Sequence, residues 1–294
     1  MGPKDLVSTA QVAIVVPTTA RQVFTQDEEI SLRHVEHFLS AYPRYFVAPE
    51  GSSPTRAGFA VEHFPTRYFG SARAHNLLLL SEEFFARFRS YKYILHYHLD
   101  ALVFSDRLAQ WCETDLDLIG APWLRCDDSP WVDRARVGNG GFTLMKVESH
   151  LNVLRSTRLS IDPDEYWEEL CRVIPPHHRW LQLPRKYLKR LGIFNNVRWE
   201  TRWWSSNGPM AADYFWADRA VRYWPEFRVA SLEQGLEFAF EVAPRLCFEL
   251  NHRRLPFGCH AWTRYDRAFW EPHLLGDATT RPTRIDLHKV ASLL

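Results

Sequence analysis

His96, His98 and Asp100 stand at alternate positions in the run Tyr93-Ile-Leu-His-Tyr-His-Leu-Asp-Ala-Leu-Val-Phe104. Two imidazoles and a carboxylate at that spacing can hold a metal ion, because alternate residues of an extended strand share a face. The flanking apolar runs, Ile94-Leu95 and Leu102-Val103-Phe104, mark the stretch as a buried strand. A carboxylate near the end of a core strand is costly to bury unless a metal or an Arg meets it. The plainer alternative is an acidic residue that caps the following turn beside two hydrogen-bonded histidines. This stretch alone does not choose between them.

Four other places carry chemistry-bearing residues. Gly138, Gly140 and Gly141 surround Asn139 in Val137–Met145, so the backbone there takes special angles or approaches another group closely. The pattern is neither GxGxxG nor a P-loop; it fits a glycine turn entering a strand, or a backbone platform under a ligand. Asp213 falls in the first turn of a helix expected from Ala211 onward, where an acid is ordinary capping chemistry and also a common way to aim a carboxylate into a cleft. His260 sits in a compact turn, Pro256–Trp262. Arg73 and Asn76, three apart on a helix expected over 70–87, share a face that meets a ligand at the sheet edge or is merely solvated.

The elements that must position these groups follow an α/β order. The β-branched run Val12–Thr19 reads as a first buried parallel strand with its ligand side at the C-terminal end. A helical period covers 27–39, strands are expected at Tyr45–Ala48, Val61–Phe64 and Leu118–Ile119, and Gly120 with Pro122 predicts a sharp turn. Helices are expected over 106–112 and 236–243. Residues 175–206 read as an insertion in which Arg185, Lys186, Lys189 and Arg190 interleave with Tyr187, Leu188 and Leu191, followed by Trp199, Trp203 and Trp204. That composition suits a lid, a groove for an anionic acceptor, a membrane-surface patch or a solvated helix.

Composition narrows the classes. A net charge of +1 gives no electrostatic reason to expect nucleic acid as a partner. Five scattered cysteines without a CxxC pair argue for reduced thiols rather than a disulfide framework. No signal-peptide pattern opens the chain and no apolar run approaches a membrane span, so a cytoplasmic protein is expected. The 12 tryptophans suit flat faces that stack on sugars or bases, although core packing uses them more often.

Together, His98-Leu-Asp-Ala-Leu-Val-Phe, Ile119-Gly-Ala-Pro-Trp, Val137-Gly-Asn-Gly-Gly-Phe and Pro256-Phe-Gly-Cys-His-Ala-Trp resemble GT-A-fold glycosyltransferases, in particular a group related to bacterial polysaccharide enzymes. The resemblance implies an α/β, Rossmann-like mixed central sheet flanked by helices, in a single domain over 1–294. Its donor half would span about 10–145 and its acceptor half about 146–275, with the aromatic and basic insertion at 175–206. It further implies a nucleotide-diphosphate sugar donor of UDP type and a glycan or lipid-linked glycan acceptor, with peripheral contact at the inner membrane face left open. Asp100 would hold Mn2+ or Mg2+ at the position of a DXD motif, and His260 would complete that site. Thr18, Arg73, Asn76, His98, Gly140 and Gly141 would bind donor; Trp203, Trp204 and Trp262 would face the acceptor. If the enzyme inverts, Asp213 would be the general base.

Two departures bear on that assignment. His98 replaces the first Asp of the metal motif, which favours Mn2+ over Mg2+, and Ala212-Asp213 stands where related sequences carry Glu-Asp. The rival readings are a metallohydrolase using His96, His98 and Asp100, and a non-catalytic carbohydrate-binding protein.

Overall fold

The computed structural model describes residues 11–20, 23–130, 132–206 and 211–276. Nine strands form among these residues: β1 (Val12–Pro17), β2 (Arg44–Pro49), β3 (Ala60–Phe64), β4 (Tyr93–Tyr97), β5 (Leu102–Val103), β6 (Leu118–Trp123), β7 (Arg136–Lys146), β8 (Ala239–Phe240) and β9 (Gly258–Cys259). Six make a central sheet in the order β3-β2-β1-β4-β7-β6, and β5-β9-β8 make a small second sheet. β1 pairs parallel with β2 and β4, and β2 with β3; β7 runs antiparallel to both of its neighbours. The chain is therefore a mixed α/β structure.

Burial on both faces is why β1 is apolar throughout. Ala13 and Val15 enter one core cluster with Val47 and Ile94, while Val12, Ile14 and Val16 enter another with Phe46, Tyr93 and Leu95. Each fully buried aliphatic side chain of this kind contributes roughly 1.5–3 kcal/mol. The next helix, Gln26–Phe38, starts where Thr25 and Glu28 satisfy each other's backbone N–H groups in a capping box.

Several boundaries differ from the sequence reading, each for a local reason. The helix expected over 70–87 is two helices, Ala72–Leu79 and Glu82–Arg87, because Ser81 accepts the N–H of Phe84 and starts a new N-terminus. β4 stops at Tyr97, the Ala101 N–H closes a turn onto the His98 carbonyl at 3.0 Å, and Leu102 leaves for the second sheet. β6 continues through Gly120 and Pro122 with irregular register instead of turning sharply. The glycine-rich run lies inside β7 rather than in a turn. The helix expected over 236–243 ends at Phe238, and Ala239–Phe240 pair with β9. Leu236, Phe238, Phe240 and Val242 are apolar at a period of two, which is a strand signal.

The 175–206 stretch is a 3-10 turn, Pro176–Gln182, and two helices, Leu183–Arg190 and Val197–Ser206. The second packs on Ala72–Leu79. Buried Glu200 anchors it, taking bonds from Arg219, the Tyr223 hydroxyl and, at 3.3 Å, Trp204 Nε1. Trp180, Tyr187, Leu191, Phe194, Trp199 and Trp203 remain exposed. Among the described residues no helix is long and apolar enough to cross a membrane.

Candidate functional site

Short strand pairings bring three distant acidic or imidazole groups together. β5 runs antiparallel to β9 with Leu102 opposite Cys259, so Asp100, two residues before β5 starts, meets His260, which follows β9. The Trp262 N–H fixes the meeting by donating to the Asp100 carbonyl at 3.2 Å. β8 runs parallel to β9 with Phe240 opposite Cys259, so the next residues, Glu241 and His260, emerge side by side. From the other sheet, the His98 N–H donates to the Gly141 carbonyl at 2.8 Å and places that imidazole at the end of β4.

His260 is gripped from two sides. Its Nδ1 lies 3.0 Å from Glu241 Oε1 and its Nε2 3.3 Å from Asp100 Oδ1. Burial alone would lower this imidazole's pKa, but Asp100 and Glu241 outweigh it and raise it to about 10. Burial likewise opposes ionisation of Asp100, yet His260 holds that carboxyl below the usual carboxylate range. Glu241, itself buried, also accepts a bond from Asn139 Nδ2. His98 Nδ1 stands 4.0 Å from Asp100 Oδ1.

His98, Asp100 and His260 offer one ligand atom each, all within 4.8 Å of one another. This donor set of two nitrogens and an oxygen fits a divalent cation, and Glu241 on the far nitrogen of His260 is the kind of outer partner that orients a metal-ligating imidazole. The chemistry suits Mn2+ better than Mg2+, which prefers oxygen throughout. The proposed hydrolase set His96, His98 and Asp100 does not assemble as one group: His96 and Asp100 belong to different clusters that share only His98.

The two glycines of β7 are explained by what faces them. A Cβ on Gly140 would collide with the Asp213 carboxylate, and one on Gly141 with the His260 ring. Asp213, in the helix Ala211–Tyr214, is pushed up to about 7 chiefly by burial, the Gly140 N–H opposing and Glu241 adding to the shift. A carboxylate so shifted is a competent proton acceptor near neutral pH. Beside it, Tyr214 stacks between Trp123, at 5.0 Å, and Trp204, at 6.4 Å.

Two adjoining cavities receive these groups. One, of about 240 Å³, is lined by Asn139, Gly140, Gly141, Asp213, Glu241 and His260, with Asn76, Arg264 and Tyr265. The other, of about 540 Å³, opens over the end of β1 and is lined by Thr18, Tyr68, Ser71 and Asp100. His75 and His98 line both, so the two adjoin at these imidazoles.

The remaining candidates divide. Thr18 lines the larger cavity, its hydroxyl bonded to the Val47 carbonyl at 3.4 Å. Asn76 is buried and accepts the Ala212 N–H at 3.3 Å, tying its helix to that of Asp213, whereas Arg73 on the same helix is exposed. Trp203 is exposed and Trp204 part-buried. Trp262 corrects the sequence expectation: it is wholly buried in the core beneath the Arg267 guanidinium, 4.8 Å from its ring, and has no face left for an acceptor. Sequence reasoning passed over His75 and Glu241. His75 lay between two residues singled out on one helix, and Glu241 lay in a stretch whose period of two points to a strand.

The family model described as "Protein of unknown function (DUF5672)" matches residues 58–260, and the chain belongs to that family. The matched span takes in His75, Asp100, Asp213 and Glu241 and ends at His260. None of the curated proteins matches the chain. Among solved structures it is similar to a glycosyltransferase involved in glycosylation of the major capsid of PBCV-1, at 11% identity over 89% of this chain and 97% of that one, TM-score 0.44. It is similar also to the glycosyltransferase GlyE of Streptococcus pneumoniae TIGR4, at 12% identity over 90% of this chain and 61% of that one, TM-score 0.41. A third is the mannosyltransferase Ktr4p from S. cerevisiae in complex with GDP, at 11% identity over 67% of this chain and 68% of that one, TM-score 0.35.

Proposed function

We propose that this protein transfers a sugar from a nucleotide-diphosphate donor to a hydroxyl of a glycan or related acceptor, in a GT-A-like fold. The observation that carries the reading is the convergence of Asp100, His98 and His260 with Asp213 on two adjoining cavities beyond the end of β4. Ligands of open α/β sheets bind outside the carboxyl ends of the parallel strands, and these cavities lie there.

In this reading the nucleotide lies in the larger cavity beside Thr18, and the diphosphate reaches His98, Asp100 and His260. A bound Mn2+ or Mg2+ would supply positive charge to the departing diphosphate. Glu241 keeps His260 turned toward Asp100, and Asn139 keeps Glu241 in place. Asp213 takes the proton of the acceptor hydroxyl as its oxygen bonds to the anomeric carbon; the bond from that carbon to the diphosphate breaks, and the electron pair leaves with the diphosphate. Attack and departure on opposite faces would invert the anomeric centre. Trp203 and Trp204 offer stacking surface on the acceptor side, and the exposed aromatic and basic stretch 175–206 suits a lipid-linked acceptor at a membrane surface.

The deciding experiment is a thermal-shift panel of UDP, GDP, CDP, TDP and ADP, each with and without Mn2+. One nucleotide that stabilises the protein only with metal supports the reading and identifies the donor class. A flat panel, or stabilisation independent of metal, overturns it.

A further inference from the structure

A second cluster, distinct in chemistry, lies against the first. One nitrogen from each of His75, His96 and His98 falls within 4.8 Å of the other two. His75 Nε2 and His98 Nε2 are 3.2 Å apart, close to the roughly 3.3 Å between two nitrogens bound at about 2.0–2.1 Å to one tetrahedral zinc ion. We propose that these three imidazoles form a transition-metal site of their own, suited to Zn2+ and separate in ligand type from the carboxylate-containing cluster.

His96 carries the argument. Its Nδ1 lies 2.5 Å from the Gly140 carbonyl, which can only accept, so the proton is on Nδ1. Nε2 is then a bare lone pair, and it is fully buried with no hydrogen-bond partner. A ring fixed through one N–H to a backbone carbonyl, with its other nitrogen free, is how proteins orient a metal-ligating histidine. A hydrogen bond between His75 and His98 would account for that pair without a metal. It leaves the His96 lone pair unexplained.

Ligand type sets the selectivity. The triad contains no oxygen, whereas Mg2+ and Ca2+ are bound through oxygen; imidazole ligands favour zinc and its first-row neighbours. His98 turns Nε2 to His75, while its Nδ1 stands 4.0 Å from Asp100 Oδ1, so one ring borders both clusters. The inference is independent of sugar transfer, since it concerns which ion the nitrogen cluster holds.

The test is titration of the full, chelator-stripped chain with Zn2+ alone, and with Co2+ alone followed by visible absorption. Wild type should take up zinc and show the d–d bands of a nitrogen-bound cobalt. His75→Phe and His96→Phe should each weaken uptake on the order of 100-fold or more, at or beyond the limit of an outer-shell change, and abolish those bands. Asp100→Asn should retain both. His75→Gln, at a part-buried position, provides a milder variant, with circular dichroism confirming its fold. Zinc uptake unchanged in folded His75→Phe and His75→Gln overturns the proposal. So does uptake lost in Asp100→Asn alone, which would put zinc at the other cluster. Failure of Mn2+-dependent nucleotide binding in wild type is a separate measurement and would instead remove the transfer reading.

Discussion

Glu241 holds His260 by its rear nitrogen, Oε1 to Nδ1 at 3.0 Å, and thereby turns Nε2 onto Asp100. The contact exists because β8 and β9 run parallel in register, so the residues that follow them emerge together. Glu241→Gln keeps the shape but removes the charge behind the imidazole. In the proposed reading, Mn2+-dependent nucleotide affinity should fall about 10–100-fold, the usual cost of losing an outer partner. Titration with metal at fixed nucleotide checks it; unchanged affinity would leave Glu241 a purely structural acid.

In the proposed reading, Asp213→Asn should leave metal-dependent nucleotide binding intact and cut transfer by about 10²–10⁴-fold, the range for losing a positioned base. Comparing binding with turnover in one preparation separates the two effects. Equal turnover in the variant would take the base role away from Asp213.

Gly141→Ala puts a methyl group into the His260 ring. Relief requires the ring or β7 to move, at a cost of about 1–3 kcal/mol typical of overpacking. The expected outcome is lower stability in denaturant together with lost metal-dependent binding. Gly140→Ala should strike Asp213 instead and depress turnover more than binding.

The tryptophans predict opposite behaviour. Trp262→Ala should cost about 3–5 kcal/mol, since the ring is fully buried. Trp203→Ala should change stability by no more than about 0.5 kcal/mol and, in the proposed reading, weaken acceptor binding. Chemical denaturation of both variants reads the difference directly.

Acid should weaken the fold through histidines remote from the cleft. His34 and His150 are buried, and burial lowers each to about 4. His34 donates from Nδ1 to the Val103 carbonyl and accepts the Leu275 N–H on Nε2, so its neutral form is the one the fold uses. The unfolded chain binds these protons near pH 6.5 and the folded chain only near 4. Their contribution is complete above about 6.5 and declines as pH falls toward 4, by up to about 3 kcal/mol for each group. His150→Phe, placed between Phe85 and Trp216, should flatten part of that slope in denaturation measured from pH 4 to 7.5.

What the sequence determined was the local part. Val12–Pro17 is apolar on both faces, which specifies a buried parallel strand, and the apolar residues around His96 specify a second buried strand in Tyr93–Tyr97. It could not specify the partners. Leu102–Val103, Ala239–Phe240 and Gly258–Cys259 are two-residue strands with almost no pattern of their own, formed because they pair with one another, the first with the last across more than 100 residues. That pairing alone joins Asp100 to His260 and puts Glu241 behind it. In the same way His75, within the turns of a short helix, meets His96 and His98 only because the helix packs over the end of β4. Residue type is written in the chain; which residues converge depends on packing between elements far apart in it.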